Sequence, residues 1–163
     1  MEARYSVLMV CMGNVCRSPT AEGVLRQIVR EAGLQEQVHI DSAGTMDWRC
    51  GSPPDDRSCH HAALRGYDIS SLRARQVDAS DFEQFDLILA MDWRNLDELR
   101  DLCPAHQQSK LRRLMEFAPP GQGDVVEDPY YGRAEDFERV LDHVEQACQG
   151  LLGHLRQSLG EPR

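Results

Sequence analysis

A cysteine and an arginine, two residue types that can handle a phosphate group, lie close together near the start of the sequence. The segment reads Cys11-Met12-Gly13-Asn14-Val15-Cys16-Arg17-Ser18. A cysteine thiolate is a nucleophile that forms covalent intermediates, and an arginine offers a planar fork of donors to two phosphate oxygens. The spacing alone decides nothing, because the same Cys-x5-Arg pattern recurs from Cys59 to Arg65.

The second match, from Cys59 to Arg65, lies in a segment with helical character. It contains no glycine, and its Ala62-Ala63-Leu64 favours a helix over a loop. The neighbouring His60 and His61 suggest a metal site, but adjacent helical residues diverge by about 100° and do not readily share one ion. We therefore interpret this match as structural and predict that both histidines lie on the surface, with no metal bound.

The first match, from Cys11 to Arg17, has a context that suits anion binding. It follows a short apolar run and precedes Ser18-Pro19, a typical helix start with serine as the N-cap. Gly13 and Asn14 tolerate left-handed backbone, which lets successive N–H groups point inward as an anion nest. The helix N-terminus adds a partial positive charge that favours a phosphate and a thiolate alike. The segment predicts attack by Cys11 on phosphorus, followed by hydrolysis of the thiophosphate.

The segments that must position these residues alternate between strand and helix. Tyr5–Met12 reads as a strand buried on both faces, and the helix that begins at Ser18 is ended by Gly33. Such alternation implies parallel strands, hence a three-layer α/β domain whose binding crevice lies beyond the carboxyl ends of the strands. Further strands are predicted at Val38–Asp41, Asp86–Met91 and Leu111–Met115, helices at Asp55–Arg65, Asp78–Phe85 and Asn95–Leu102, and loops at Ser42–Pro54 and Glu116–Gly132.

The clearest helical pattern lies near the carboxyl end of the chain. Its apolar residues recur at i, i+3, i+4 and i+7, which predicts a stripe that packs on the core and contains Cys148 as a small buried apolar residue. The stripe consists of Phe137, Val140, Leu141, Val144, Ala147, Cys148, Leu151, Leu152 and Leu155.

The composition is that of one globular domain, which we assign to residues 1–163. The formal net charge of −9 is poorly suited to nucleic acids, so an anionic substrate must be attracted locally. No apolar run approaches the ~20 residues of a membrane span, and no signal-peptide pattern is present, so we expect a cytoplasmic protein without membrane insertion. The six cysteines form no CxxC pair, which argues against a zinc ribbon or a disulfide framework.

Around Cys11–Ser18 the chain resembles the low-molecular-weight protein tyrosine phosphatases, in a bacterial form. Four further segments fit that family's motifs in the same order, and the resemblance covers practically the whole chain. It implies a four-stranded parallel sheet flanked by helices on both faces, with no metal or organic cofactor. The matching segments are Val7–Pro19, Asp41–Thr45, Ala74–Gln76, Met91–Asp92 and Asp128–Tyr130.

The resemblance implies three residues that act in the reaction. Cys11 is the expected nucleophile, Arg17 the phosphate-binding residue, and Asp128 the general acid that protonates the departing tyrosine oxygen and then activates water. Only the resemblance brings Asp128 next to Cys11, because the two are far apart in sequence. Ser18 is expected to stabilise the Cys11 thiolate. The implied phosphate-binding loop also contains Met12, Gly13, Asn14, Val15 and Cys16.

The resemblance also implies residues that support this loop. Asn14 is expected to hold its shape with Ser42 as a hydrogen-bond partner, and Asp92 is expected to orient Arg17, which otherwise loses rotamer entropy on binding phosphate. One position departs from the family. Many members carry a histidine two residues before the Ala-Arg-Gln motif, where it supports the loop through Asn14, and this chain has Leu72 there.

Three aromatic residues, Trp48, Tyr130 and Tyr131, are implied to line the mouth of the site. A phosphotyrosine ring carries its phosphate deeper than phosphoserine does, so a cleft with aromatic walls favours phosphotyrosine.

A second hypothesis concerns Cys16, which neighbours the Cys11 thiolate. Such a pair predicts a reversible Cys11–Cys16 disulfide under mild peroxide.

Two other functions remain open from the sequence. One is thiol-linked arsenate reduction, which shares this fold and loop but needs two more cysteines close together, and there is none between Cys59 and Cys103. The other is an inactive phosphotyrosine-binding module. For the phosphatase, the expected partners are a phosphotyrosine protein, such as a bacterial tyrosine kinase, and inorganic phosphate as product and inhibitor. We expect a monomer or a weak dimer.

Overall fold

The computed structural model describes residues 3–160 and shows four strands and five α-helices. Two short 3-10 helices, Ala105–Lys110 and Leu114–Phe117, lie on either side of the last strand. The strands are β1 (Tyr5–Cys11), β2 (Val38–Gly44), β3 (Leu87–Ala90) and β4 (Leu111–Arg113), and the helices are α1 (Arg17–Glu31), α2 (Asp56–Leu64), α3 (Asp81–Gln84), α4 (Trp93–Leu102) and α5 (Ala134–Ser158).

The four strands form one parallel sheet in the order β2-β1-β3-β4. The chain leaves β1 for β2 on one side and later returns to β3 on the other side. Such a reversal opens a crevice at the carboxyl ends of the two diverging strands. Cys11 ends β1 and pairs with Gly44 of β2, so the cysteine stands directly at this crevice.

Alternate residues of β1 enter two separate cores. Val7 and Met9 pack in the core that α1 and α5 cover, whereas Leu8 and Val10 pack in the core that α3 and α4 cover. A strand that is buried on both faces is typical of the centre of a parallel sheet. The predicted three-layer α/β fold with a four-stranded parallel sheet is thereby confirmed.

Several predicted boundaries were wrong, each for a local reason. β2 continues to Gly44 and not only to Asp41, because β1 offers pairing partners as far as Cys11. The helix α1 begins at Arg17 with Cys16 as its N-cap, so Ser18 lies inside the first turn. The strand β4 ends at Arg113, whose backbone N–H donates to Glu116 and starts the following 3-10 helix.

The second Cys-x5-Arg segment fastens α2 to α5. Arg65, which follows α2, forms ion pairs with three carboxylates of α5, those of Glu138, Asp142 and Glu145. His60 is exposed as predicted, but the surface prediction for His61 was wrong. That side chain is half-buried, contacts Glu138, and stacks on the Phe137 ring with the centroids 5.9 Å apart.

The helix α5 buries the predicted apolar stripe, of which Leu152 alone is half-buried. Cys148 lies within that stripe and is inaccessible to solvent. The polar residues of α5 lie on its other face. Within residues 3–160, no helix is both long and apolar enough to cross a membrane.

Two glycines of α5 have opposite surroundings. A Cβ on Gly150 would stand 1.8 Å from the carbonyl oxygen of Phe117, so the backbone of the preceding 3-10 helix rests directly on this residue. A Cβ on Gly153 would have nothing within 4 Å. Gly150 is therefore a packing requirement, whereas Gly153 only weakens the helix.

We predict that Gly150→Ala lowers the free energy of unfolding by about 2 kcal/mol or more, because a backbone atom must move to admit the methyl group. Gly153→Ala is the matched control, and it should raise the free energy of unfolding by up to about 1 kcal/mol through helix propensity. Urea unfolding followed by circular dichroism measures both. Equal effects of the two substitutions would contradict this account of α5.

Candidate active site

The loop between β1 and α1 owes its shape to one left-handed residue. Asn14 has a φ of 58°, a conformation that asparagine tolerates better than most residues do. Gly13 was expected to share this conformation and does not. A further glycine is needed from β2, because a Cβ on Gly44 would stand 2.6 Å from the carbonyl oxygen of Met12. The loop therefore folds closely against the end of β2.

The loop presents backbone N–H groups that have no protein acceptor. Among the described residues, none of the N–H groups of residues 12–16 donates a hydrogen bond within the protein. The helix α1 begins immediately afterwards, with no acidic residue in its first turn to neutralise its positive end. Unpaired N–H groups at a helix N-terminus form an anion-binding site, so the loop has the predicted character of a nest.

The Cys11 sulfur lines the cleft and contacts a hydroxyl group of α1. Ser18 Oγ is 3.0 Å from Cys11 Sγ, and it also accepts a hydrogen bond of 2.8 Å from Asn14 Nδ2. Because the Asn14 amide occupies an acceptor position of the serine, the single hydroxyl proton points either at the sulfur or at the more distant Ala43 carbonyl oxygen, 3.4 Å away.

The same Asn14 amide connects the loop to a buried carboxylate. Asn14 Nδ2 donates to Ser42 Oγ at 3.0 Å, and Ser42 Oγ donates to Glu22 at 2.7 Å. Glu22 is only 1% exposed and is held by the Arg26 guanidinium at 2.7 Å. Because a carboxylate only accepts, Glu22 makes Ser42 a donor, and Ser42 in turn must accept from Asn14. The hydrogen bonds therefore have one defined direction.

The remaining atom of the Asn14 amide is also satisfied. Asn14 Oδ1 accepts from the backbone N–H of Arg75 at 3.0 Å, in the Ala-Arg-Gln segment. Leu72, two residues before that segment, is half-buried and contributes no side-chain hydrogen bond. The loop is thus held through the Arg75 backbone on one side and Ser42 with Glu22 on the other, with no side-chain hydrogen bond from position 72.

The Arg17 guanidinium lies under the loop and is held along one edge. Its Nη1 donates to Asp92 at 2.6 Å and to the carbonyl oxygen of Val126 at 2.9 Å. Asp92 is itself fixed, because it caps α4 by accepting from the Asn95 N–H. Among the described residues, Nε and Nη2 have no hydrogen-bond acceptor, which leaves the bidentate edge for two oxygens of an anion.

Charges around Arg17 raise its pKa although the residue is buried. Burial alone would lower the pKa, and the charges of Cys11, Asp92 and Asp128 outweigh that effect. Asp128 Oδ2 lies 3.9 Å from Arg17 Nη2, and about a third of its side chain is exposed. Asp128 therefore reaches the cleft from the long loop before α5.

That loop is anchored at Val126. The Val126 N–H donates to the carbonyl oxygen of Met91 at 2.7 Å, directly after β3, and its own carbonyl accepts from Arg17. Two residues further on, Asp128 Oδ1 accepts from the Tyr130 N–H and stabilises a turn. These contacts bring Asp128 to the cleft across the long sequence separation from Cys11.

The predicted site residues surround one open cleft of about 330 Å³. Its upper rim is aromatic and exposed, since Trp48 is 66% exposed and Tyr131 96%. Asn14, Ser18, Ser42 and Asp92 lie behind the lining and support it. The residues that line the cleft are Cys11, Met12, Gly13, Val15, Cys16, Arg17, Trp48, Arg49, Asp128, Tyr130 and Tyr131.

Sequence reasoning missed three residues of this region. The i,i+4 spacing of Glu22 and Arg26 is typical of an ordinary ion pair on a helix surface, and Arg49 belongs to no motif. Glu22 lies one helical turn after Ser18, and this spacing was the available signal that Glu22 faces the loop. In the part of the chain that the structure describes, no cluster of three His, Cys, Asp or Glu side chains could hold a metal ion.

The fold and the cleft define an α/β protein with a thiol-containing anion loop at the carboxyl end of its central strand. The sequence profile of the low molecular weight phosphotyrosine protein phosphatases matches residues 6–161. The chain therefore belongs to that family.

Individual relatives agree with this assignment over nearly full length. The low molecular weight protein-tyrosine-phosphatase of Streptomyces coelicolor is 42% identical, covering 95% of this chain and 96% of the relative. Low molecular weight phosphotyrosine protein phosphatase 2 of Drosophila melanogaster is 41% identical, covering 94% and 93%. A protein tyrosine phosphatase of Entamoeba histolytica superposes with a TM-score of 0.92 at 39% identity, covering 95% of this chain and 99% of that one.

We predict that Glu22→Leu lowers the free energy of unfolding by about 1–3 kcal/mol, because it leaves Ser42 without its buried acceptor, whereas the half-exposed Arg26 becomes hydrated. It should also slow alkylation of Cys11 by iodoacetate, since Asn14 and Ser18 lose their fixed orientation. Urea unfolding and peptide mass mapping measure the two effects.

Glu22→Gln is the matched control, because glutamine keeps an acceptor for Ser42. Burial raises the pKa of Glu22, although Ser42 and Arg26 oppose that shift. Between about pH 4.3 and the raised pKa of Glu22, the folded protein retains a proton that the unfolded chain has already lost, so this carboxyl makes stability fall as pH rises through that range, above which Glu22 is ionised. The stability of the wild type relative to Glu22→Gln should decline over that range. A flat difference, or equal losses in the leucine and glutamine variants, would contradict the role of Glu22.

Proposed function

We propose that this protein hydrolyses phosphotyrosine in proteins through a phosphocysteine intermediate. The observation that carries the proposal is the convergence of Cys11, the free edge of Arg17 and Asp128 on one cleft, beneath a loop of unpaired N–H groups. These groups supply a nucleophile, an oxyanion site and an acid, which are the parts that phosphoryl transfer requires.

The reaction has two steps in this proposal. In the first, the Cys11 sulfur attacks phosphorus, the bond to the phenolic oxygen breaks, and Asp128 gives that oxygen a proton. In the second, water attacks phosphorus, Asp128 takes the proton of the water, and the Cys11 thiolate departs. Ser18 stabilises the departing thiolate through its hydroxyl, and Arg17 with the loop N–H groups binds the phosphoryl oxygens in both steps.

The walls of the cleft support tyrosine phosphate as the substrate. Tyr130 is half-buried and fixed, because Arg49 donates to its hydroxyl at 2.7 Å and the Arg57 guanidinium lies 5.4 Å from its ring centroid. Trp48 and Tyr131 extend the aromatic surface outwards. A flat ring that enters between such walls brings its phosphate to the loop, and each aromatic contact contributes ~0.5–1.5 kcal/mol.

The proposal extends to the setting of the enzyme. We infer one phosphatase domain over residues 1–163, inorganic phosphate as product and competitive inhibitor, and a monomer or weak dimer. The six cysteines are all unpaired thiols, and the cytosol keeps thiols reduced, which supports the cytoplasm. Phosphoproteins are the substrate class, and a bacterial tyrosine kinase is the proposed member of it.

We predict that Asp128→Ala slows hydrolysis of phenyl phosphate by about 100-fold or more and that of 2,4-dinitrophenyl phosphate far less, because a good leaving group needs no proton. Steady-state kinetics measures the ratio of the two rates. Glu127→Ala, at the exposed neighbouring carboxylate, should leave that ratio unchanged. Turnover that persists in Cys11→Ser, or an equal loss on both substrates in Asp128→Ala, would contradict the mechanism.

We also propose that Cys16 protects Cys11 from irreversible oxidation. Burial raises the pKa of Cys16 to about 12, so it remains a neutral thiol beside the reactive Cys11. After peroxide converts Cys11 to a sulfenic acid, the Cys16 thiol condenses with it to form a disulfide and water.

We predict that peroxide inactivates the wild type in a form that dithiothreitol reverses, and that Cys16→Ser instead accumulates Cys11 sulfinic acid. Cys50→Ser, at an exposed cysteine that does not line the cleft, is the matched control and should behave as the wild type. Peptide mass spectrometry after oxidation identifies the products. Sulfinic acid as the main product in the wild type would contradict the pairing.

A further inference from the structure

Two guanidinium groups line the cleft, and only one is needed for the phosphate. Arg17 is 3% exposed and lies at the floor, whereas Arg49 is exposed on the loop that follows β2. The stem of Arg49 lies over the anion loop, since a Cβ on Gly13 would stand 3.4 Å from its Cγ. The second cation is therefore close to the phosphate site but open to solvent.

The Arg49 guanidinium is oriented by an aromatic residue of the wall. Its Nη2 donates to Tyr130 Oη at 2.7 Å, and its Cζ lies 5.3 Å from the Tyr130 ring centroid. Tyr130 does not move freely, because the Arg57 guanidinium packs on both Tyr130 and Phe137. A long side chain that is already held in one place loses less rotamer entropy when it binds a ligand.

The two arginines around Tyr130 differ in charge balance. Arg57 forms an ion pair of 2.9 Å with Asp55, so its charge is compensated. Arg49 forms no ion pair with any carboxylate among residues 3–160, and its hydrogen bond to a tyrosine hydroxyl leaves the charge intact. The chain has a net charge of −9, which is unfavourable for an anionic ligand. The Arg49 guanidinium therefore supplies a local positive charge at the mouth of the cleft.

We propose that Arg49 binds an acidic side chain next to the phosphotyrosine, so that the protein prefers phosphotyrosine segments flanked by aspartate or glutamate. The inference rests on the proposed function and adds a substrate class to it. In this proposal the phosphotyrosine ring lies against Tyr130, and the neighbouring residues of the peptide pass the Arg49 guanidinium, which is hydrogen-bonded to the Tyr130 hydroxyl. A guanidinium matches a carboxylate in charge and geometry.

Nearby carboxylates make this selection specific to Arg49. Asp128 lines the cleft and Asp47 is exposed in the same loop as Arg49, so both repel an acidic peptide that lacks a cationic contact. The preference for acidic segments should therefore disappear, and even reverse, when this one charge is removed. Because the contact is exposed, its effect is modest and weakens as salt is added.

The test uses three phosphotyrosine peptides that differ only in the residues on either side of the phosphotyrosine, which are glutamate, glutamine or lysine. For the wild type we expect kcat/KM to be about threefold higher with glutamate than with glutamine at low ionic strength, and the ratio to shrink in 0.5 M salt. Arg49→Gln should bring the ratio to one or below, and Arg49→Glu should favour the lysine peptide.

Arg57→Gln is the matched control, because it also removes a guanidinium from Tyr130 but one that Asp55 already compensates. It is expected to affect the glutamate and glutamine peptides equally. An unchanged glutamate-to-glutamine ratio in Arg49→Gln, or an equal change of that ratio in Arg57→Gln, would overturn the role of Arg49.

Peptide binding separates this inference from the proposed function. Fluorescence anisotropy of the same peptides, labelled and bound to Cys11→Ser, gives the glutamate-to-glutamine affinity ratio without turnover, in the presence and absence of Arg49→Gln. Failure of the wild type to hydrolyse p-nitrophenyl phosphate would overturn the proposed function. Equal affinities for the two peptides in Cys11→Ser would overturn the acidic preference even if hydrolysis is efficient.

Discussion

The active cleft depends on how one amide side chain, that of Asn14, is hydrogen-bonded. Its oxygen accepts from the Arg75 backbone, and its nitrogen donates to Ser18 and Ser42. These bonds stabilise the left-handed backbone of Asn14, which turns the N–H groups of the loop away from the protein. They also leave the Ser18 proton for Cys11 Sγ at 3.0 Å or for the more distant Ala43 carbonyl oxygen at 3.4 Å. If the amide were rotated by half a turn, both hydroxyl groups would meet an acceptor and the Arg75 N–H would meet a donor.

The anion site gathers groups from the carboxyl ends of three strands, and this explains how an acidic chain can bind phosphate. Cys11 ends β1, Gly44 ends β2, and Asp92 with the Met91 carbonyl follows β3. Asp92 binds Arg17 through Nη1, which leaves Nε and Nη2 of the guanidinium for an anion. Attraction therefore arises from one guanidinium and a set of backbone dipoles within a few ångströms, where the net charge of −9 is of little weight because distant surface charges are screened.

The fold was predictable because its signals are local, whereas half of the site depends on long-range contacts. A continuous apolar run predicted β1, and the helical spacing of apolar residues predicted α5. The residues around Cys11 predicted an anion loop. The position of Asp128 followed only from the family resemblance, because it depends on the Val126 contacts. Ser18 was misread as an N-cap, since residue type does not distinguish a cap from a first-turn hydroxyl. Glu22 escaped notice because an i,i+4 pair looks the same whether it is exposed or buried.

Glu22 raises a physical question, since a buried carboxylate close to an anion site should repel the substrate. Arg26 answers it by binding Glu22 from α1 and also donating to the Ile40 carbonyl of β2, so the pair as a whole carries no net charge. The pair affects the loop only through Ser42, because Glu22 makes Ser42 donate and leaves it to accept from Asn14. A neutral residue without an acceptor would leave the direction of these hydrogen bonds undefined, and an uncompensated acid would weaken phosphate binding. The Glu22–Arg26 pair therefore supports the loop through Ser42 without adding net charge beside the anion site.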